Sequence, residues 1–363
     1  MAPAAVGASE PPAGSAGVLE AYPGLAHTAG VPAVFPVPRR PRPTAILLAC
    51  LLAAGIAVPG SVRAADSRAD VNPDRINKAC LARRLPAPPR VVLFGSSIFS
   101  KGDPAEVRAM TGLTAFNASV SHGNADDAWV FLNLIHDAHP ATRQQLVWLL
   151  DPETFSGRGG PDPSLLDSPY TVRFTTPGHR DARGETAAQQ TARQARTPAF
   201  RTCLVRTNSF TRYRADGYRS HDYHDRNLAA GETQADAIKA TVDEYRVIYR
   251  DRYRALDTHL ERRFDQTIRL ANSWGARPIV ILAPMHPSFV AALAPYGYAQ
   301  RTAQVVAFLR AAARRESFTL LDARSLSVFA GTPADFFDGV HLQAPAMRRL
   351  LAWALRRGQL NHG

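Results

Sequence analysis

The sequence predicts an α/β fold: a three-layer α/β/α sandwich on a five-stranded, mainly parallel sheet, with a long insertion after the third strand. Three observations predict it. Short apolar runs alternate with amphipathic stretches over residues 90–357, the pattern of strand–helix–strand units. The runs are apolar at consecutive positions, as in strands covered on both faces. Each run ends at a turn-forming residue, where ligands bind in open α/β sheets.

Val91-Val92-Leu93-Phe94, stopped by Gly95, is the first strand. A helix follows over Pro104–Met110, then a second strand over Thr114–Ala118. Asn124–Ala138 is amphipathic, with an Asn cap and Pro140 beyond its end, and Gln145–Leu150 is the third strand. Residues 151–230 break the pattern with glycines, prolines and clustered Arg, Asp, His and Tyr, so they form a long irregular insertion. Thr233–Trp274 repeats apolar residues at helical spacing (Ile238, Val242, Tyr245, Ile248, Tyr249, Tyr253, Leu256, Leu260, Phe264, Ile268), giving one long helix or two broken near Asp257. Pro278–Ala283 is the fourth strand, Arg301–Arg314 a helix, Phe318–Asp322 the fifth strand and Ala344–Arg357 a terminal helix.

The front of the chain reads differently. Residues 1–38 are a low-complexity Ala/Pro/Gly leader. Residues 39–65 combine Arg39, Arg40 and Arg42, an uncharged apolar run Ala45–Val58, and Val62-Arg63-Ala64, which fits a secretory signal peptide cleaved near Ala64 or Ala65. At about 14 residues the run is short of the ~20 that cross a bilayer comfortably; an uncleaved anchor over residues 44–59 is the alternative. Residues 66–89 read as a linker. Export would leave Cys80 and Cys203 in the mature chain, either bridged or as two buried thiols.

Composition narrows the function. The 363 residues carry 43 basic and 31 acidic side chains, a formal charge of +12, with 45% hydrophobic residues. That is enough apolar surface for a core, which excludes a disordered polar chain. Lys78, Lys101 and Lys239 are the only lysines, the arginines are dispersed and no basic block or reading module stands out, so nucleic acid is not an expected partner. Neither Cys-x-x-Cys nor Cys/His zinc spacing occurs. His221-Asp222-Tyr223-His224-Asp225 has the composition of a metal cluster, but it lacks helical His–His spacing and reads as a solvated loop. No metal or cofactor is expected.

Chemistry concentrates after the strands. Gly95-Ser96-Ser97 follows the first, Asn117-Ala118-Ser119-Val120-Ser121-His122-Gly123 the second, Asp151-Pro152-Glu153 the third, Pro284-Met285-His286-Pro287 the fourth, and Asp338-Gly339-Val340-His341 precedes the last helix. A serine on a strand-to-helix turn presents its hydroxyl above the sheet, an imidazole can take its proton, and a carboxylate can fix the tautomer of that imidazole. These residues and their order resemble the SGNH/GDSL hydrolase superfamily, whose fold is flavodoxin-like, over residues from about 90 to 357. The resemblance implies Ser97 as nucleophile, His341 as general base and Asp338 as its orienting partner. It also implies an oxyanion hole from the backbone N–H groups of Ser97 and of His122 or Gly123. Ser96 replaces the family's Asp, His122 stands at its usual Gly, and its Gly-x-Asn-Asp block is absent, Leu150-Asp151-Pro152-Glu153 standing instead. Asn117, His286 and Asp151 are the expected substrate contacts. The pattern looks like an exported branch that includes D-alanyl-teichoic-acid transfer and alginate O-acetylation relatives. That implies a serine esterase or O-acyltransferase acting on acyl esters of an envelope carbohydrate, with a membrane-bound acyltransferase as partner. A catalytically degenerate protein that binds an envelope polymer is the alternative.

Overall fold

A computed structural model describes residues 74–157, 161–168, 170–175, 211–275 and 277–360, with Thr186, Gln189 and Ala192 as isolated positions. All of them belong to one compact unit, Asp66–Gly363. The leader, the export segment with its alternative anchor, and Cys203 lie outside the described residues.

The strands are β1 (Val91–Gly95), β2 (Ala115–Asn117), β3 (Gln145–Leu150), the short β4 (Arg212–Tyr213) and β5 (Arg219–His221), β6 (Ile279–Leu282) and β7 (Thr319–Asp322). Five of them form one sheet in the order β2-β1-β3-β6-β7, every pair parallel, while β4 and β5 make a separate antiparallel hairpin. The helices are α1 (Asp74–Arg83), α2 (Pro104–Thr111), α3 (Ala125–Ala138), α4 (Pro163–Asp167), α5 (Tyr223–Ala229), α6 (Gln234–Val247), α7 (Thr258–Ser273), α8 (Pro287–Leu293), α9 (Tyr298–Arg315) and α10 (Ala344–Arg357).

The apolar runs bury both faces because side chains alternate across a strand. Val92, Phe94, Trp148, Leu150 and Val280 pack with α1, α3, α7 and α9 on one side. Val91, Leu93, Val147, Leu149, Ile279 and Ile281 pack with α2, α6, α8 and α10 on the other. This is the three-layer sandwich the sequence predicts, with its strands and flanking helices in the expected places. From β1 the chain goes to β2 on one side and to β3 on the other, so the carboxyl end of β1 is the topological switch point where a ligand crevice opens.

The long helical stretch breaks in two. α6 runs into a π-helical turn, Ile248–Arg252, and α7 restarts with Asp257 as its cap, accepting from the His259 N–H at 2.8 Å. The two helices bury their stripes on opposite faces of the sheet, Tyr245 on one and Phe264 on the other. The apolar period runs through the break because both segments need a stripe.

Two expectations about organisation are corrected. The linker over residues 66–89 contains α1, which buries Ala79, Cys80 and Ala82 in the core and is docked through its charged side chains as well. Arg75 gives both Asp127 oxygens a hydrogen bond, at 2.6 and 2.8 Å, and the fully buried Lys78 ammonium donates to the Asn117 carbonyl and side-chain oxygens at 3.1 Å each. Burial pulls Lys78 down to about 7, with the Arg219 charge adding to the effect. Cys80 of α1 is disulfide-bonded, and its partner lies outside the described residues.

The described part of the insertion is also more regular than expected, with α4, the β4–β5 hairpin and α5. Its hairpin turn covers the edge strand β2, the Asn117 N–H donating to the Asp216 carbonyl at 2.9 Å, which closes an edge that would otherwise stand open. Arg219 and Tyr213 of the hairpin both bond the buried Asp74 of α1, and Asp74 in turn accepts from the Ser121 N–H and hydroxyl at 3.1 and 2.7 Å.

Candidate active site

β1 ends on a turn that only glycine can enter. A Cβ at Gly95 would lie 2.7 Å from the Leu149 carbonyl oxygen and 2.9 Å from the Phe99 Cβ. Ser96 is still extended, and Ser97–Phe99 then close a 3-10 turn. Ser97 holds the first position of that turn, where an N–H has no acceptor within the helix.

The turn is fastened at both ends. The Ser96 hydroxyl donates to Asp151 Oδ2 at 2.7 Å, and the Asn117 side-chain amide donates to the Phe99 and Gly102 carbonyls at 3.0 and 2.7 Å. Beside it, the loop after β2 passes so close that a Cβ on Gly123 would lie 2.6 Å from the Gly95 carbonyl oxygen.

Opposite stands the loop Asp338–His341. Asp338 Oδ1 accepts from the Val340 and His341 N–H groups, both at 2.8 Å, and the His286 N–H donates to the Gly339 carbonyl at 3.0 Å. This fixes the loop before the contact with Ser97 is considered. Asp338 Oδ2 then lies 2.8 Å from His341 Nδ1, and His341 Nε2 lies 2.8 Å from Ser97 Oγ. A carboxylate facing Nδ1 puts the imidazole proton there and leaves Nε2 to accept from the serine hydroxyl. Asp338 and His341 are buried, while Ser97 is partly exposed to a ligand.

The charges favour this state. Burial alone would raise the Asp338 carboxyl, but the charges and hydrogen bonds of His341 and His224 outweigh it and hold the group well below the usual carboxylate range. Burial pushes His341 down, the Asp338 charge pulls it part of the way back, and the neighbouring His224 pushes it down again, so the group stays below the ordinary histidine value.

The structure thus brings Ser97 to the Asp338–His341 pair, with His341 lying 244 residues further along the chain. The accessory residues are not where expected. Asn117 is fully buried, its oxygen accepting from the Ser119 N–H and from Lys78 while its nitrogen serves the turn, so it holds the site's framework rather than substrate. Asp151 is buried behind Ser96 and also accepts from the Thr154 N–H at 3.0 Å. Burial first, and then the neighbouring Glu153 charge, raise it to about 6. His286 caps α8, its Nδ1 accepting from the Ser288 N–H at 3.1 Å, and stands edge-on to Phe336. The Gly123 N–H donates to the Val120 carbonyl at 3.0 Å, which commits it to the turn and removes it from the oxyanion candidates. His122 has a left-handed backbone (φ 50°), with its ring between Glu153 and Glu244 at 3.4 Å each.

One residue of the site was missed. His224 is not in a solvated loop: Asp222 and Asp225 form a capping box that starts α5, and the buried imidazole packs 4.2 Å from the His341 ring, centroid to centroid. The Asp222-x-x-Asp225 spacing was the available signal for a helix start. His224, Asp338 and His341 each bring a ligand-type atom within 4.8 Å of the others. Both His341 nitrogens already face protein oxygens at hydrogen-bonding distance, an arrangement suited to moving a proton. Among the described residues no helix is long and apolar enough to cross a membrane.

Compared with models of known protein families and with curated proteins, the chain matches none.

Proposed function

We propose that the protein is an exported serine esterase or O-acyltransferase of the SGNH type, and that it acts on acyl esters of a cell-envelope carbohydrate. The observation that carries the reading is the unbroken Ser97–His341–Asp338 hydrogen-bonded chain at the switch point of the sheet. Ser97 Oγ attacks the acyl carbonyl as His341 Nε2 takes its proton, and Asp338 stabilises the resulting imidazolium. The Ser97 N–H, which has no acceptor within its turn, would serve the developing oxyanion, with the His122 segment as the second donor. His341 then gives the proton to the leaving alkoxide. The acyl-enzyme is resolved by water or by a carbohydrate hydroxyl, with His341 again acting as base. Small acyl groups such as acetyl, and a membrane-bound acyltransferase partner, come from the family resemblance. The disulfide at Cys80 supports an oxidising compartment.

The test is turnover of p-nitrophenyl acetate. A burst of about one nitrophenolate per chain, followed by slower release, is the expected signature of an acyl-enzyme. Acetylated sugar on adding an acceptor polysaccharide would favour transfer. The commitment of the Gly123 amide and the lack of the family's third block favour a second reading, a degenerate polymer-binding protein. Absence of any burst alongside saturable polysaccharide binding would select it.

A further inference from the structure

We propose that His224 is a positioning residue for this site: a second imidazole, supplied by the insertion, that packs beside Asp338 and the His341 ring and holds a positive charge against them. The inference rests on reading Ser97, His341 and Asp338 as a catalytic triad.

The geometry is specific. His224 Nε2 lies 3.5 Å from Asp338 Oδ2, the same oxygen that faces His341, and its Nδ1 lies 3.4 Å from Asp222 Oδ1. Both carboxylates are buried with it. An imidazole between two buried carboxylates can satisfy both only as a cation with two N–H donors.

The surrounding groups hold the arrangement in place. Asp222 caps α5 through the His224 and Asp225 N–H groups. Arg219 of β5 lies 4.0 Å from Asp222, and Lys101, four residues beyond Ser97, lies 3.5 Å from Asp222 and 2.7 Å from Asp225. Tyr223 lies tilted against the ring at 3.8 Å and Phe337 meets it edge-on at 4.6 Å, and the charge of Glu244 on α6 reaches Tyr223. His341 completes the set on the substrate side. Burial lowers His224, but the hydrogen bonds and charges of Asp222 and Asp338 outweigh it and raise the group.

Two consequences follow. Asp338 Oδ2 faces two rings, His341 at 2.8 Å and His224 at 3.5 Å, so its charge is shared between them. The adjacent cation also makes a second positive charge at His341 costly, so His341 stays neutral, and able to act as base, further into mild acid than a triad histidine without such a neighbour.

The experiment is an NMR titration of histidines labelled with 13C in the full chain, which needs no turnover. In the wild type, His224 is expected to titrate above the ordinary 6.5 and His341 below it. In His224→Gln the His341 midpoint should rise by about one unit, roughly tenfold in proton affinity, and the acid limb of ester turnover should move with it. His224→Lys, which keeps the charge, should leave the His341 midpoint near its wild-type value. If His224→Gln does not fold, Asp222→Asn retains the imidazole and should lower the His224 midpoint. An unchanged or lowered His341 midpoint in His224→Gln, or an unchanged His224 midpoint in Asp222→Asn, overturns the proposal. Failure of the triad reading shows separately, as no ester turnover by a wild type whose histidines still titrate as described.

Discussion

Replacing Ser97 with alanine is expected to lower ester turnover by roughly 10⁵–10⁶, to the level left by binding and the oxyanion donors. The whole proposed reaction passes through Ser97 Oγ, and the alanine leaves His341 Nε2 with no hydroxyl to deprotonate. Folding should hardly change. The side chain is partly exposed and makes one hydrogen bond, while the turn itself is held by Ser96, Asn117 and the glycine at 95. A melting temperature within a degree or two of wild type (on the order expected for a surface change) together with lost turnover is the expected pair of results. Turnover that survives in Ser97→Ala would place the chemistry elsewhere.

The second large effect is expected from Asp338→Asn. The carbonyl oxygen of the amide can still accept from the Val340 and His341 N–H groups, so the loop keeps its shape. Its NH₂ would then face His341 Nδ1, which forces the ring proton onto Nε2, towards Ser97. The imidazole can no longer accept the serine proton, and kcat should fall by about 10³–10⁴. The same change strips His224 of one of its two carboxylates. The loss should therefore come with a lower His224 midpoint, which steady-state kinetics and the titration described above would read independently.

The sheet was legible because its signal is local. Val91–Phe94, Gln145–Leu150 and Pro278–Ala283 could only be buried strands, and turn residues marked their carboxyl ends. Ser97, Asp338 and His341 stood out because they follow a strand or precede the last helix, with the Asp three residues before the His, and the family resemblance implied their roles. α1 was not legible. Its charged side chains dock by pairing with Asp127 and Asn117, 39 or more residues away, and no apolar period announces that. His224 was hidden for the same reason, since its function depends on Asp338, over a hundred residues further on. Asn117 and His286 were misassigned because a polar residue after a strand can serve either a ligand or the backbone of its neighbours. The buried amides and carbonyls of the crowded turns around Ser97 took them first.

The most direct test of the central claim is covalent. A fluorophosphonate probe reacts only with a serine whose proton is being removed and whose oxyanion is stabilised. Incubated with the full chain and mapped by peptide mass spectrometry, it should add one phosphonyl group per chain, located on Ser97, with labelling lost in Ser97→Ala and strongly slowed in Asp338→Asn. An unlabelled chain, or a phosphonyl group on another serine, would contradict the assignment of Ser97 as the nucleophile.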